Sequence, residues 1–168
     1  MAHLCPDVRA WTIASVRYDS PVARELTHAL HREQVATFGT ADDPDTTPAE
    51  QFEPPAGMFL VATCSDRIAL ACGGWHTAGP TTAEIKRMYV DPSARGRGLG
   101  RWLVDALELD ARRRGMTEVI LETGIHNRAA MALYISCGYA LVEPYVAGRD
   151  PRINRALGKF LPPLAECE

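Results

Sequence analysis

The sequence predicts an α/β domain in which helices pack on a mixed sheet. Three observations carry this expectation. The length, 168 residues, suits one domain. Helical and strand periodicities follow one another as a helix, a hairpin, then strand–helix–strand–helix–strand. At residues 90–101 a strand passes through a glycine-rich turn straight into an amphipathic helix. The composition, 46% hydrophobic and 23% charged, is that of an ordinary globule and excludes collagen-like, low-complexity and disordered chains.

Each element has a local cause. Residues 11–17 (WTIASVR) have short strand character. Ser20-Pro21 supplies an N-cap and a proline at the first helical position, and Val22, Leu26, Ala29 and Leu30 follow at helical spacing, so a helix runs over 21–37. Segment 39–57 is anomalous. It holds Pro44, Pro48, Pro54 and Pro55 with the carboxylates Asp42, Asp43, Asp45, Glu50 and Glu53, and no Lys, Arg or His. A short helix fits 48–52, and the rest reads as loop, either functional or a solvated excursion. Residues 58–64 and 68–76 form a hairpin about Ser65-Asp66. Gly73-Gly74 marks a bulge or a close backbone approach. A strand over 84–90 stops at Asp91-Pro92. In the helix over 98–114, Leu99, Trp102, Leu103, Ala106 and Leu107 share one face. Arg112, Arg113 and Arg114 suit the negative end of its dipole, and Gly115 stops it. Residues 119–123 read as a strand of the sheet centre. A helix over 127–137 closes at Gly138, and strands follow over 139–143 and 152–161.

Charge and cysteine usage narrow the partners. Lys and Arg number 18 against 21 Asp and Glu, a net charge of −3 without the basic excess of a nucleic-acid binder. Residues 1–10 lack the basic-then-apolar order of a signal peptide. No apolar run approaches the ~20 residues of a spanning helix, so neither nucleic acid nor membrane is an expected partner. Cys5, Cys64, Cys72, Cys137 and Cys167 are odd in number and contain no C-x-x-C pair, which reads as a reduced, cytoplasmic protein. His28 and His31 share a helical face without a third ligand at matching spacing, so they read as a surface pair and no metal site is expected.

The chemistry concentrates after Val90. In Ser93-Ala94-Arg95-Gly96-Arg97-Gly98-Leu99-Gly100, alternate glycines leave backbone N–H groups uncovered where a helix begins. A helix start has unpaired donors and a partial positive charge, so this is a phosphate cradle, with Arg95, Arg97 and Arg101 around it. The Gly-Lys-Ser/Thr of nucleotide-hydrolysing loops is absent, and the spacing departs from the dinucleotide fingerprint G-x-G-x-x-G.

The segment 95–100 reads R-x-x-G-x-G. With Asn127-x-x-Ala130-x-x-Leu133-Tyr134-x-x-x-Gly138-Tyr139 at the right distance, the chain resembles the GNAT superfamily of acyl-CoA-dependent N-acetyltransferases. The likeness covers 84–143, about a third of the chain; residues 11–82 agree only in element order. It implies an α/β (α+β) fold with a mixed, mostly antiparallel twisted sheet of about six to seven strands flanked by helices. It also implies one domain over 1–168 with 84–143 as the cofactor-binding and catalytic core. The implied cofactor is acetyl-CoA. Its pyrophosphate would lie on the amides of Arg97, Gly98, Leu99, Gly100 and Arg101, beside Arg95 and Gly96. Its pantetheine arm would run along Met88, Tyr89 and Val90, pairing with the main chain of Met88 and Val90. Asn127 would hydrogen-bond the arm or a neighbouring water.

Acetyl transfer to an amine needs a neutral amine, a polarised thioester carbonyl and a stabilised thiolate. The resemblance makes Tyr134 the acid that meets the thiolate. It offers Glu84, acting through a water, as the preferred base and Glu122 as the runner-up. Polyamine acetyltransferases carry an acid where this chain has Lys86, which argues against their mechanism; Glu84 and Lys86 share a face and can pair. Cys137 could form an acyl-cysteine, but a buried small hydrophobe is the better reading. Trp75 and His76 could line the acceptor pocket or belong to the core. The acidic loop points to a small cationic amine as acceptor, with a peptide N-terminus or a lysine as second choice. Tyr145, Arg149 and Arg152 could instead bind a carboxylate, leaving an amino-acid-like acceptor open. A non-catalytic acyl-CoA sensor or a complex subunit is the alternative to an enzyme, and the resemblance admits a homodimer.

Overall fold

The strands of the computed structural model, which describes residues 11–164, form one seven-stranded sheet. The elements are β1 (Thr12–Ser15), α1 (Pro21–Phe38), β2 (Gly57–Thr63), β3 (Ala69–Thr77), β4 (Thr82–Val90), α2 (Leu99–Arg113), β5 (Glu118–Gly124), α3 (Arg128–Ser136), β6 (Ala140–Val142) and β7 (Asn154–Phe160). The strand order is β1-β2-β3-β4-β5-β7-β6. Only β4 and β5 run parallel; the other pairs are antiparallel, as a mostly antiparallel mixed sheet requires.

Two apolar layers hold the sheet. On one face α2 buries Leu99, Leu103 and Leu107 against Ile85, Val119, Leu121 and Leu157. On the other, α1 brings Ala23 and Leu26 onto Tyr18, Phe52, Phe59, Val61, Cys72 and Tyr89. The start of α1 is capped as its sequence predicts, with the Ser20 hydroxyl accepting from the Ala23 N–H. Its end is Gly39 in the left-handed region, φ 81°, donating to the Val35 carbonyl. Trp75 is fully buried and donates its indole N–H to Asp110 at 2.9 Å, so it is core and not pocket wall. Cys64, Cys72 and Cys137 are buried and form no disulfide, while Cys5 and Cys167 lie outside the described residues. Among the described residues no helix is long and apolar enough to cross a membrane.

Gly73-Gly74 is a close approach and lies opposite a bulge in β4. The β3–β4 register shifts between Cys72 and Gly74. A Cβ on Gly74 would stand 2.6 Å from Phe52 and 2.7 Å from Phe59, and one on Gly73 would stand 2.3 Å from the Met88 sulfur. Segment 39–57 has the short helix expected at 48–52, as a 3₁₀ turn, but is not a free excursion. It contains two 3₁₀ turns, Pro44–Thr46 and Ala49–Phe52, and is strapped to the domain. Phe52 is buried; His28 and Arg24 pair with Asp45, Arg17 pairs with Glu53, and His31 meets the Asp42 carbonyl. Arg149 pairs with Asp42 as well, so Asp42, Asp45 and Glu53, three of the five carboxylates expected to attract a cationic acceptor, face cations of the protein itself, which the local composition could not reveal.

Candidate active site

β4 builds the site through two irregularities. The first is the bulge. Ala83 and Ile85 face the α2 layer, and after the bulge so do Met88 and Val90, a slip of one residue in the period-two alternation. Arg87 absorbs it at φ 59°, a conformation costing a side-chain-bearing residue about 1–2 kcal/mol. Its guanidinium is held by the Asp42 carbonyl (3.2 Å) and the Thr47 hydroxyl (2.8 Å). The second irregularity is a splay. β4 pairs with β5 only over Thr82, Ala83 and Glu84 against Glu118, Val119 and Ile120. Beyond that the strands part, so later β4 has no β5 partner, and the Val90 carbonyl is met by Arg95 instead.

A cleft of about 500 Å³ lies beside this opening. Of the expected cofactor residues, Met88, Tyr89, Val90, Arg95, Gly96, Gly98, Leu99, Gly100, Arg101 and Asn127 line it, as does Tyr134; Arg97 is not in its wall. Gly96 (φ 75°) and Gly98 (φ 85°) have open space where a Cβ would stand, so these positions need glycine for its conformation. Gly100 packs closely: a Cβ there would stand 3.1 Å from the Leu133 side chain. Gly98 caps α2 without a side chain, so the first-turn N–H groups have no side-chain partner from the cap. Arg95 does not stand free. It donates to the Val90 carbonyl at 2.8 Å and pairs with Glu33 of α1 at 2.6 Å, tying the loop to that helix.

Tyr134 and Asn127 sit on the far wall. Tyr134 is 5% exposed and packs edge-on against Tyr139, and burial pushes its phenol above the usual range. Asn127 is the N-cap of α3, and its Oδ1 accepts from the Ala130 N–H at 3.1 Å. The carboxamide oxygen is thus committed, leaving the NH₂ as the end free for a ligand. This capping accounts for the Asn-x-x-Ala spacing.

A second cleft, of about 580 Å³, adjoins the first; Leu30 and Asn127 line both. Glu122 lies in its wall with Arg87, Arg149, Asp42 and Phe38. Glu122 meets the Arg149 Nε at 3.1 Å. Burial raises its carboxyl above the ordinary value; Arg149 opposes the rise, while Glu84 and Asp42 add to it.

Glu84 lines neither cleft. It is 7% exposed, with Oε2 against His76 Nε2 (2.8 Å) and Lys86 Nζ (3.6 Å), and Oε1 accepting from the Tyr145 hydroxyl (2.9 Å). Burial opposes its ionisation, but His76, Lys86 and Tyr145 outweigh burial and hold the carboxyl below the ordinary value. The expected pairing with Lys86 is present, and His76 belongs to this network. Tyr145 serves Glu84 and does not offer its hydroxyl to a substrate carboxylate. Arg152 pairs with Asp150 at 2.9 Å with its guanidinium in solvent, which leaves Arg149 as the cleft's residue from that set. The Cys137 thiol is buried, and burial raises its pKa, as a packed small hydrophobe requires. Asp42, one of the acidic-loop carboxylates expected near an acceptor, does line this cleft, whereas sequence reasoning missed Arg87, for which Gly73-Gly74 was the available signal.

The acetyltransferase (GNAT) family model matches residues 24–139, well over half of the chain. An uncharacterized N-acetyltransferase of Schizosaccharomyces pombe is 35% identical over 118 residues, 70% of this chain and 72% of the relative. An IAA acetyltransferase of Azospirillum brasilense is 42% identical over 100 residues, 58% of this chain and 64% of the relative. The crystal structure of a Klebsiella pneumoniae protein assigned as an acyl-CoA N-acyltransferase superposes with a TM-score of 0.78 at 29% identity, covering 92% of this chain and 99% of that one. A spermidine N-acetyltransferase of Vibrio cholerae, solved with CoA and spermine, has the same fold, with a TM-score of 0.66 at 13% identity over 90% of this chain and 95% of that one. The chain belongs to the GNAT acetyltransferase family and is an N-acetyltransferase of that type.

Proposed function

We propose that the protein moves the acetyl group of acetyl-CoA to the primary amine of a small molecule by direct attack in a ternary complex. The observation that carries this reading is the meeting of two clefts at Asn127, one walled by the glycine loop and Tyr134, the other by Glu122. The second cleft, at about 580 Å³, has the size of a small-molecule site.

The residues present fit acetyl-CoA: an uncapped helix start, left-handed glycines and an open strand edge converge on one cleft. Acetyl-CoA supplies an activated acyl thioester. The loop and first-turn amides at 97–101 would hold the pyrophosphate, with Arg101 adding charge from the cleft wall. Arg95 keeps α1 seated on the loop. The Met88 main chain and the Val90 N–H would pair with the amide arm beside Tyr89, and the Asn127 NH₂ would donate to it. Glu122 removes the amine proton; its raised pKa makes it a stronger base than a surface carboxylate. Glu84, with both oxygens engaged outside the clefts, is the positioning residue that anchors Tyr145 and His76. The Tyr134 hydroxyl, in the wall of the first cleft, would protonate the departing thiolate as the C–S bond breaks. The whole chain acts as a single N-acetyltransferase domain with 84–143 as its core. Cys64, Cys72 and Cys137, buried and outside any disulfide, suit a reducing, cytoplasmic setting.

Thiol release from acetyl-CoA, measured against a panel of small amines and of peptides, tests this reading. Turnover of a small amine with intersecting double-reciprocal lines is expected. Parallel lines would replace direct attack with an acyl-enzyme, and turnover of peptides alone would refute the small acceptor.

A further inference from the structure

We infer that the acceptor carries a carboxylate, and that Arg149 reads it at the place where the Asp42 carboxylate now stands. This rests on the reading of the second cleft as the acceptor site. The cleft is not the acidic receptacle that the composition of 39–57 suggests. Its wall contains two guanidiniums, Arg87 and Arg149, against two carboxylates, Glu122 and Asp42. A purely cationic amine approaching Glu122 would meet Arg149 bonded to that same carboxylate. An amine with its own carboxylate meets opposite charges at both ends.

Arg149 is placed to make that distinction. Its Nε is on Glu122 and its terminal nitrogen is on Asp42, so one planar group spans the base and a second anion position. The two anions differ in standing. The Glu122 side chain is 14% exposed, whereas that of Asp42 is 61% exposed. An exposed ion pair contributes little and exchanges readily, so the Asp42 position is the one a ligand can take. Arg87 holds the Asp42 main-chain carbonyl at 3.2 Å, so the Asp42 side chain can turn out while the loop stays. The spacing suits an α-amino acid, whose amine and carboxylate are carried on one carbon: the carboxylate takes the fork of Arg149 and the amine is left beside Glu122.

The experiment compares matched pairs of acceptors in the thiol-release assay: L-amino acids and the amines left when their carboxylates are removed. A kcat/KM for the amino acid roughly 10- to 100-fold above that of its amine is expected, the range for a charge-assisted hydrogen bond. R149Q is expected to collapse this ratio toward one, R149K to restore part of it, and D42N to lower the KM for amino acids by freeing Arg149. Amines turned over as well as or better than their amino acids, or a ratio unchanged in R149Q, would overturn the inference and leave the small-acceptor reading standing. Turnover of peptide amines with neither member of any pair accepted would overturn both.

Discussion

Replacing Glu122 by Gln separates the two carboxylates that the sequence offers as base. The substitution is nearly isosteric, and the Gln carbonyl can still accept from the Arg149 Nε, now 3.1 Å from Oε1. Packing and the Arg149 contact therefore survive, and the proton-accepting capacity is lost. A positioned base contributes about 10²–10⁴ in rate, so kcat/KM should fall by that factor, about 3–5 kcal/mol of transition-state stabilisation. The pH profile gives the sign. Glu122 works only when ionised, and burial raises its pKa, so the wild-type rate should be lost as pH falls through a value above the ordinary carboxylate range. With an acceptor amine of low pKa, whose own titration lies elsewhere, this limb should vanish in E122Q. E84Q is the control. It should keep the limb while lowering stability by about 1–3 kcal/mol, because Tyr145, His76 and Lys86 lose a charged partner. An E122Q enzyme within threefold of wild type and with the acid limb intact would refute the assignment.

Tyr134→Phe should retain CoA binding, measured by calorimetry, while turnover falls by about tenfold or more; an unchanged rate would remove Tyr134 from the mechanism. Gly74→Ala forces a methyl against Phe52 and Phe59 and should cost about 1–3 kcal/mol, read as a fall in thermal midpoint of several degrees. Because Glu84 titrates below its unfolded value, its contribution to stability is full above the unfolded pKa and is lost as pH falls through the folded one. The difference in urea midpoint between wild type and E84Q should accordingly shrink below about pH 4.5.

Local chemistry made most of the fold legible. Ser20-Pro21 and Gly39 bracket α1, Gly98 and Gly115 bracket α2, and Asn127 starts α3, each close to where the sequence expects it. The cleft beside the glycine loop was legible for the same reason, since the loop, the helix start and Asn127 are close in sequence. The charge pattern of the second cleft was not. Asp42 meets Arg149 across 107 residues, and Arg87 reaches Thr47 across 40, so charge counted along the chain did not report charge in space. Which of Glu84 and Glu122 lines a cleft was hidden for the same reason. Both end up near the strand splay, but which one faces the cleft depends on where β4 and β5 part and on the partners supplied by β3 and the segment after β6.

The extra residue in β4 divides labour within one strand. Before the slip the strand pairs with β5 and closes the sheet; after it the strand has no β5 partner. Arg87, the residue that absorbs the slip, lines the second cleft while Met88 and Val90 line the first. On the function proposed above, acceptor preference would be retuned at Arg87, Asp42 and Arg149 without touching the glycine loop. A scaffold so divided would change what it acetylates while keeping its acetyl donor.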